Sequence, residues 1–404
     1  MSSFLQFAIA IVIIIIAAKL GGYLSFKLGQ PSVLGELMVG IILGPSVFNL
    51  LSLPIFSDTH LADSIEHLAE VGVLLLMFLA GLDLHVSDLA RSGKVAAFAG
   101  VLGVVVPLGL GLGLGLLFSM DFNSAFFLGL VLSATSVSIS AQTLMELKVL
   151  RSRVGVGLLG AAVFDDILVV LGLSIFVALV QSGSGGLGSA LLIALRMVLY
   201  MGVAYAIGAL LLPRLSHLVD RLEISKGLIA FAFVVLLFFA WTAEIMGGMA
   251  AITGSFLAGL LLSRSRVKER IESGISTLAY SVFVPVFFVN VGLIANAREI
   301  NAQTFWLFII MILVAVVGKI AGAGLGALWS GFSRLESLQM GVGMMSRGEV
   351  GLIVASVGIT QSILPQELFA VIVGVVIVTT LLTPPALRYL FTKQNSTSQE
   401  IQDE

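Results

Sequence analysis

From Phe4 to Ala18 the chain offers one polar side chain, Gln6, and the next residue is the charged Lys19. A backbone carried through so apolar a stretch must satisfy its own N–H and C=O groups, and within a single segment only a helix does that. Roughly 20 apolar residues cross the hydrocarbon of a bilayer. Apolar runs bounded by charges or Gly/Pro/Ser turns fall at 4–28, 33–51, 65–84, 93–119, 123–147, 153–181, 188–213, 225–245, 248–263, 273–293, 303–330, 335–361 and 365–391. Only 11% of the 404 residues are charged and 58% are hydrophobic, against about 25% charged in soluble domains. The expected fold class is an all-α polytopic membrane protein with 13 transmembrane helices, in a single transmembrane unit over 1–391, with a short polar tail at 392–404.

Several function classes drop out early. A net charge of −2 offers no footprint for nucleic acid. The absence of cysteine excludes disulfides and thiolate chemistry. His60, His67, His85 and His217 have no metal-ligand spacing, and no cofactor is expected. MSSFLQ lacks the positive start of a secretory signal and the first run is too long for a signal core, so it reads as a permanent first helix.

The loops test the number of spans. With the N-terminus outside, inside loops carry Lys27, Arg91, Lys94, Lys148, Arg151, Arg153, Arg214, Arg221, Lys226, Arg264, Arg266, Lys268, Arg270, Arg334, Arg388 and Lys393, and outside loops carry Arg298 alone. Cytoplasmic loops hold the excess of Lys and Arg. The alternation predicts a multi-pass protein with its N-terminus outside and its C-terminus in the cytoplasm.

An internal repeat runs through the spans. GELMVGIIL (Gly35–Leu43) in span 2 matches GSFLAGLLL (Gly254–Leu262) in span 9, and FLAGLDL (Phe78–Leu84) matches FVNVGLI (Phe288–Ile294). Gly111, Gly113 and Gly115 match Gly322, Gly324 and Gly326 at a constant offset of 211. Partners lie seven spans apart, and an odd shift reverses each helix. Spans 1–6 and 8–13 are thus expected as two inverted six-helix repeats joined by span 7, a hallmark of secondary transporters. Two polar interruptions, LSATSVSIS (Leu132–Ser140) and GVGMMSRGEVG (Gly341–Gly351), occupy equivalent places in the repeats. They are expected as discontinuous helices near a midplane site. The plainer alternative is two ordinary helices with small residues for close packing.

Four Lys and Arg remain inside spans: Lys19, Arg196, Lys319 and Arg347. Lys19 and Arg196 can snorkel to the interface. Lys319, central in span 11, cannot, and an ionisable group at that depth costs at least ~2.5–3.5 kcal/mol without a partner. Asp165 and Asp166 sit midway along span 6. Neighbouring helical positions point about 100° apart, so one acid can pair with Lys319 while the other opens to a cavity. A buried pair that only fixes helix packing is the alternative. The exposed acid can hold a proton or a small hard cation, and oxygens suit such a cation. Thr135, Ser136 and carbonyls freed at the break of span 5 can complete its shell, and competition between H⁺ and cation for one site is sufficient for antiport. Arg347 and Glu349 are assigned to the break of span 12, neutralising dipole ends. Glu36 is expected at the interface, and Gly-rich spans 4 and 11 as surfaces for close sliding.

With these residues in hand, the chain resembles the monovalent cation/proton antiporter 2 family, in particular NapA-type bacterial sodium/proton antiporters. The matching elements are QPSVLGELMVGIILGP (Gln30–Pro45), FLAGLDL, SATSVSISAQTL (Ser133–Leu144), FDD of span 6, Lys319, SRGEVGLIVA (Ser346–Ala355) and TTLLTPP (Thr379–Pro385). The resemblance implies a homodimer in a prokaryotic plasma (inner) membrane. It implies a dimerisation domain of 1–84 plus 225–293, a mobile core of 93–181 plus 303–391 with crossed broken helices, and a linker helix at 188–213. It makes Asp166 the cation ligand and pairs Asp165 with Lys319, the candidate carriers of a further proton. Members with this acid pair exchange Na⁺ or Li⁺ for protons electrogenically, in an elevator-like cycle. K⁺/H⁺ exchange is the nearest alternative, although the nucleotide-sensing domain of potassium-efflux relatives is missing. Organic-anion symport, a channel and an intramembrane aspartyl protease fit less well. The protease needs acids from different helices face to face, and these two are neighbours on one helix. No enzyme activity is expected.

Overall fold

The computed structural model describes residues 1–28, 30–83, 92–182, 186–222, 224–294, 298, 302–360, 363–365 and 367–400, and no strand occurs among them. His85 and Arg91 lie outside the described residues, as do the side chains of Glu349 and Lys393. The helices in chain order are α1 (Ser3–Lys27), α2 (Ser32–Leu43), α3 (Leu61–Asp83), α4 (Gly93–Leu117), α5 (Phe122–Ser133), α6 (Val137–Glu146), α7 (Arg153–Ser182), α8 (Gly186–Arg221), α9 (Gly227–Thr242), α10 (Ala251–Leu262), α11 (Lys268–Leu278), α12 (Val284–Leu293), α13 (Ala302–Trp329), α14 (Arg334–Gly343), α15 (Glu349–Thr360) and α16 (Glu367–Glu400). Each apolar run is taken up by one helix or by an interrupted pair. Among the described residues nine helical stretches are long and apolar enough to cross a bilayer, so the chain is an all-helical polytopic membrane protein.

Local chemistry sets several ends. Span 2 stops at Leu43 rather than at 51, because Gly44 precedes Pro45 and takes the extended conformation (φ −72°, ψ −177°) that a following proline imposes. Past α9 a π turn, Ala243–Gly247, ends at Gly248 with φ +64°, a conformation glycine adopts without steric cost. Asp121 caps α5, accepting from the N–H groups of Asn123 and Ser124 at 3.0 and 3.2 Å. The Ser124 hydroxyl and N–H hold its carboxyl below the usual range. The cap therefore operates above the ordinary carboxylate pKa and is lost as pH falls through the lowered value. At the C-terminus α16 continues as helix to Glu400, through the segment expected as a tail.

The chain forms two compact units. The first comprises Met1–Ile65, Gly93–Asp165 and Phe288–Glu404, and the second Glu66–Ser92 and Asp166–Phe287. The division falls inside α7, between its two acids. In the first unit α13 lies against α4 with backbone almost touching backbone: a Cβ at Gly322 would meet Leu102 O at 2.3 Å, and one at Gly326 would meet Phe98 O at 2.4 Å. In the second unit α10 is seated between α9 and α3, and the Ser255 hydroxyl donates to Leu74 O at 2.6 Å.

Helices in lipid gain little from hydrophobic burial and associate through close packing. Gly326→Val should therefore lower the melting temperature of the detergent-purified protein, at a cost of about 1–3 kcal/mol for overpacking. Gly113, where a Cβ meets nothing within 4 Å, is the control. Gly113→Ala should hold or raise the melting temperature, read by scanning fluorimetry.

Candidate functional site

The Ser152 hydroxyl accepts from Gly155 N–H at 3.1 Å and opens α7, the helix that carries both acids. Lys319 reaches Asp165 from α13. Its Nζ donates to Asp165 Oδ1 in an ion pair from which water is fully excluded on both sides. Gly103 of α4 lies beside the ammonium, where a Cβ would stand at ordinary van der Waals distance, 3.8 Å from Nζ. Arg347 is a second positive charge acting on Asp165, and the Thr135 hydroxyl bears on the same carboxylate. Neither Thr135 Oγ1 nor Asp165 Oδ2 makes a hydrogen bond of ordinary geometry. Asp166, one position on, is also buried, and its Oδ2 accepts from Thr253 Oγ1 of α10 at 3.4 Å.

Both polar interruptions are helix breaks. Ala134–Ser136 separates α5 from α6, and Met344–Gly348 separates α14 from α15. The breaks are bonded to each other in both directions: Ser136 N–H donates to Ser346 O at 2.9 Å, and the Ser346 hydroxyl donates to Ser136 O at 2.6 Å. The approach leaves no space for a side chain at Gly348, where a Cβ would stand 2.5 Å from Ser136 Oγ. The Ser136 hydroxyl itself lies 3.0 Å from that of Ser138.

Arg347 closes the second break. Its guanidinium, 1% exposed, donates to Met345 O at 2.9 Å, to Met344 O at 3.4 Å and to Ala315 O at 2.8 Å. A cation thus sits on carbonyls at the negative end of the α14 dipole. The Thr380 hydroxyl donates to Arg347 O at 2.7 Å, and Arg347 N–H donates to Thr379 Oγ1 at 3.2 Å. Glu349 begins α15, and its side chain is outside the described residues.

The structure thus brings Asp165, Lys319, Thr135 and Arg347 together in the first unit and gives Asp166 a partner in the second. Sequence reasoning passed over Ser346, Thr379, Thr380 and Thr253. The first three lie inside the quoted motifs SRGEVGLIVA and TTLLTPP, a usable signal. Thr253 lies in an apolar helix with nothing to mark it. Two other expectations change. Glu36, expected at the interface, is covered by the protein itself, with Lys19 and Glu146 the charges acting on it. Arg196 does not simply snorkel: its guanidinium donates to Met246 O at 2.6 Å and to Ile245 O, so it caps the π turn after α9.

Removing one partner of a buried ion pair strands the other charge and costs about 3–5 kcal/mol, whereas replacing both with apolar groups is often neutral. Lys319→Met and Asp165→Leu should each lower the melting temperature. The double variant should recover most of the loss, and additive losses in that cycle would contradict the pairing.

Comparison with known proteins agrees with this architecture. Residues 10–393 match the family model "Sodium/hydrogen exchanger, transmembrane". The chain is 40% identical over 385 residues to the probable Na(+)/H(+) antiporter GerT of Bacillus cereus, covering 95% of this chain and 99% of GerT. It is 38% identical over 386 residues to the Na(+)/H(+)-K(+) antiporter GerN of the same organism, covering 96% of each. The solved sodium proton antiporter MjNhaP1 of Methanocaldococcus jannaschii superimposes with a TM-score of 0.69 at 20% identity, covering 98% of this chain and 97% of that one, and so shares its fold. A match over nearly the whole chain, on a fold of this kind, places the protein in the transmembrane sodium/hydrogen exchanger family.

Proposed function

We propose that the protein is an electrogenic Na⁺(Li⁺)/H⁺ antiporter in which proton and cation compete for Asp166. The observation that carries this reading is the buried Lys319–Asp165 pair at the position next to Asp166. The pair neutralises one acid inside the low-dielectric interior. The neighbouring carboxylate is left to bind either H⁺ or a hard cation, with Asp165 and Lys319 as carriers of a further proton. Two protons against one sodium would move net charge.

The reading includes 13 membrane crossings in two inverted repeats, with the N-terminus outside and the C-terminus in the cytoplasm of a prokaryote. Matching glycines support the repeat. Gly35 of α2 closes on Gly21 of α1, and its counterpart Gly254 of α10 closes on Phe239 of α9. Gly40 of α2 meets Val289 and Gly292 of α12, while Gly259 of α10 meets Phe78 of α3. Each contact is the other's image under exchange of the repeats. The cycle is an elevator: a core of 93–181 plus 303–391 carries the site past a dimerisation domain of 1–84 plus 225–293, in a homodimer. These functional domains partition the chain differently from the two compact units. K⁺/H⁺ or Na⁺/H⁺-K⁺ exchange is the second reading, favoured by the 38% identity to a relative named as a Na(+)/H(+)-K(+) antiporter.

Current on a solid-supported membrane after Na⁺, Li⁺ or K⁺ jumps tests this with wild type, Asp166→Asn and Lys319→Gln. Wild type should give a Na⁺-evoked current that Asp166→Asn abolishes. Lys319→Gln should retain exchange with reduced net charge movement. Exchange without current in wild type would overturn the electrogenic assignment, and a response to K⁺ alone would move the substrate to the second reading.

A further inference from the structure

Four buried threonines within these helices satisfy their hydroxyls on their own backbone, while Thr380 reaches across to Arg347 O. Thr143, Thr242, Thr379 and Thr383 each donate to the carbonyl four residues back, at 2.8–2.9 Å. Thr253 does not follow them. It stands in the first turn of α10, whose N-cap is Ala250, so the carbonyl four residues back precedes the helix. Its hydroxyl turns instead to Asp166 Oδ2, and both side chains are buried.

The position is firmly held. Thr is stiff at χ1, and α10 is buried without interruption from Ile252 to Leu262. Gly254, the next residue, is pressed against Phe239 O, which a Cβ there would approach to 2.1 Å. The backbone that carries the hydroxyl is therefore held in place, and the oxygen is confined to the few χ1 positions open to a helical Thr.

A hydroxyl carries one donor and two acceptor lone pairs. It can donate to an ionised carboxylate, and it can turn a lone pair to a cation lying beside both oxygens. The spacing fits the second use well. An O–H···O bond ordinarily spans about 2.5–3.0 Å, and this pair is 3.4 Å apart. A hard cation with oxygens at about 2.4 Å sets two neighbouring ligands about 3.4 Å apart when they subtend a right angle. An ion that takes its oxygens at about 2.0–2.1 Å needs them closed to about 2.9 Å, and an ion larger than Na⁺ needs them spread.

We propose that Thr253 Oγ1 is a ligand of the transported cation, shared with Asp166, and that the spacing of this pair favours an ion of Na⁺ size over Li⁺ and K⁺. The inference rests on the reading of Asp166 as the exchange site and adds a ligand from a helix with no polar motif.

Full-length protein in liposomes, with initial exchange rates measured against Na⁺, Li⁺ and K⁺ concentration at fixed pH, tests it. The variants are Thr253→Val, Thr253→Ser and Asp166→Asn. Thr253→Val should raise the Na⁺ KM about tenfold, as expected for loss of one polar contact to a charge, with Vmax largely kept and the preference for Na⁺ over K⁺ flattened. Thr253→Ser retains the hydroxyl and should return KM close to wild type. An unchanged KM in Thr253→Val beside an inactive Asp166→Asn overturns the ligand role and leaves Asp166 as the site. Equal loss of Vmax in the Val and Ser variants at unchanged KM also overturns it, making Thr253 a packing residue. Sodium-dependent exchange surviving in Asp166→Asn removes the reading of Asp166 itself, and this inference falls with it.

Discussion

A peptide group that leaves its helix inside a bilayer must find a partner within the protein, and two segments of this chain find it in each other. The breaks at Ala134–Ser136 and Met344–Gly348 are joined by reciprocal bonds between Ser136 and Ser346. The freed carbonyls of Met344 and Met345 accept from the Arg347 guanidinium, and that of Gly343 accepts from the Ser140 hydroxyl. A side chain at Gly348 would block the approach, and loss of the Ser346 hydroxyl would remove one of the two bonds, the other being backbone to backbone. The interruptions can then exist only as a pair, and the geometry around Asp165 depends on them.

The charges follow from that frame. Two fully buried ions are tolerable because they lie against each other, and Arg347 adds a second positive charge near Asp165. The two acids of α7 thus differ in their surroundings although they are neighbours in sequence. One is neutralised by a lysine, and the other is hydrogen-bonded to a hydroxyl. A helix turns about 100° per residue, so adjacent identical side chains necessarily meet different partners.

Small residues carry the packing. The glycines of α4 and α13 read from sequence as surfaces for sliding, yet their closest contacts bind α13 to α4 and α4 to α5: a Cβ at Gly111 would meet Gly129 Cα at 2.5 Å. Contacts so tight suit a joint that stays together. Glu36 is a second case in which packing adds what sequence leaves open. Its place near the end of an apolar run put it at the interface, but a helix end in sequence says nothing of the neighbours that cover it, and here they bury it.

Sequence alone determined that the chain is helical and crosses membranes repeatedly, because apolar length and the scarcity of charge permit nothing else in lipid. It also located the helix breaks, since polar, β-branched and glycine residues inside an apolar run signal freed backbone, and it singled out Asp165, Asp166 and Lys319, since charge at bilayer depth needs a reason. Only the tertiary structure decided which groups meet. Lys319 finds Asp165 from 154 positions away, Ser346 finds Ser136 from 210, and Thr253 finds Asp166 from 87. Hydropathy and helical period describe one segment at a time. Partners on different helices are chosen by how close two backbones can come, and that is a property of the packed bundle.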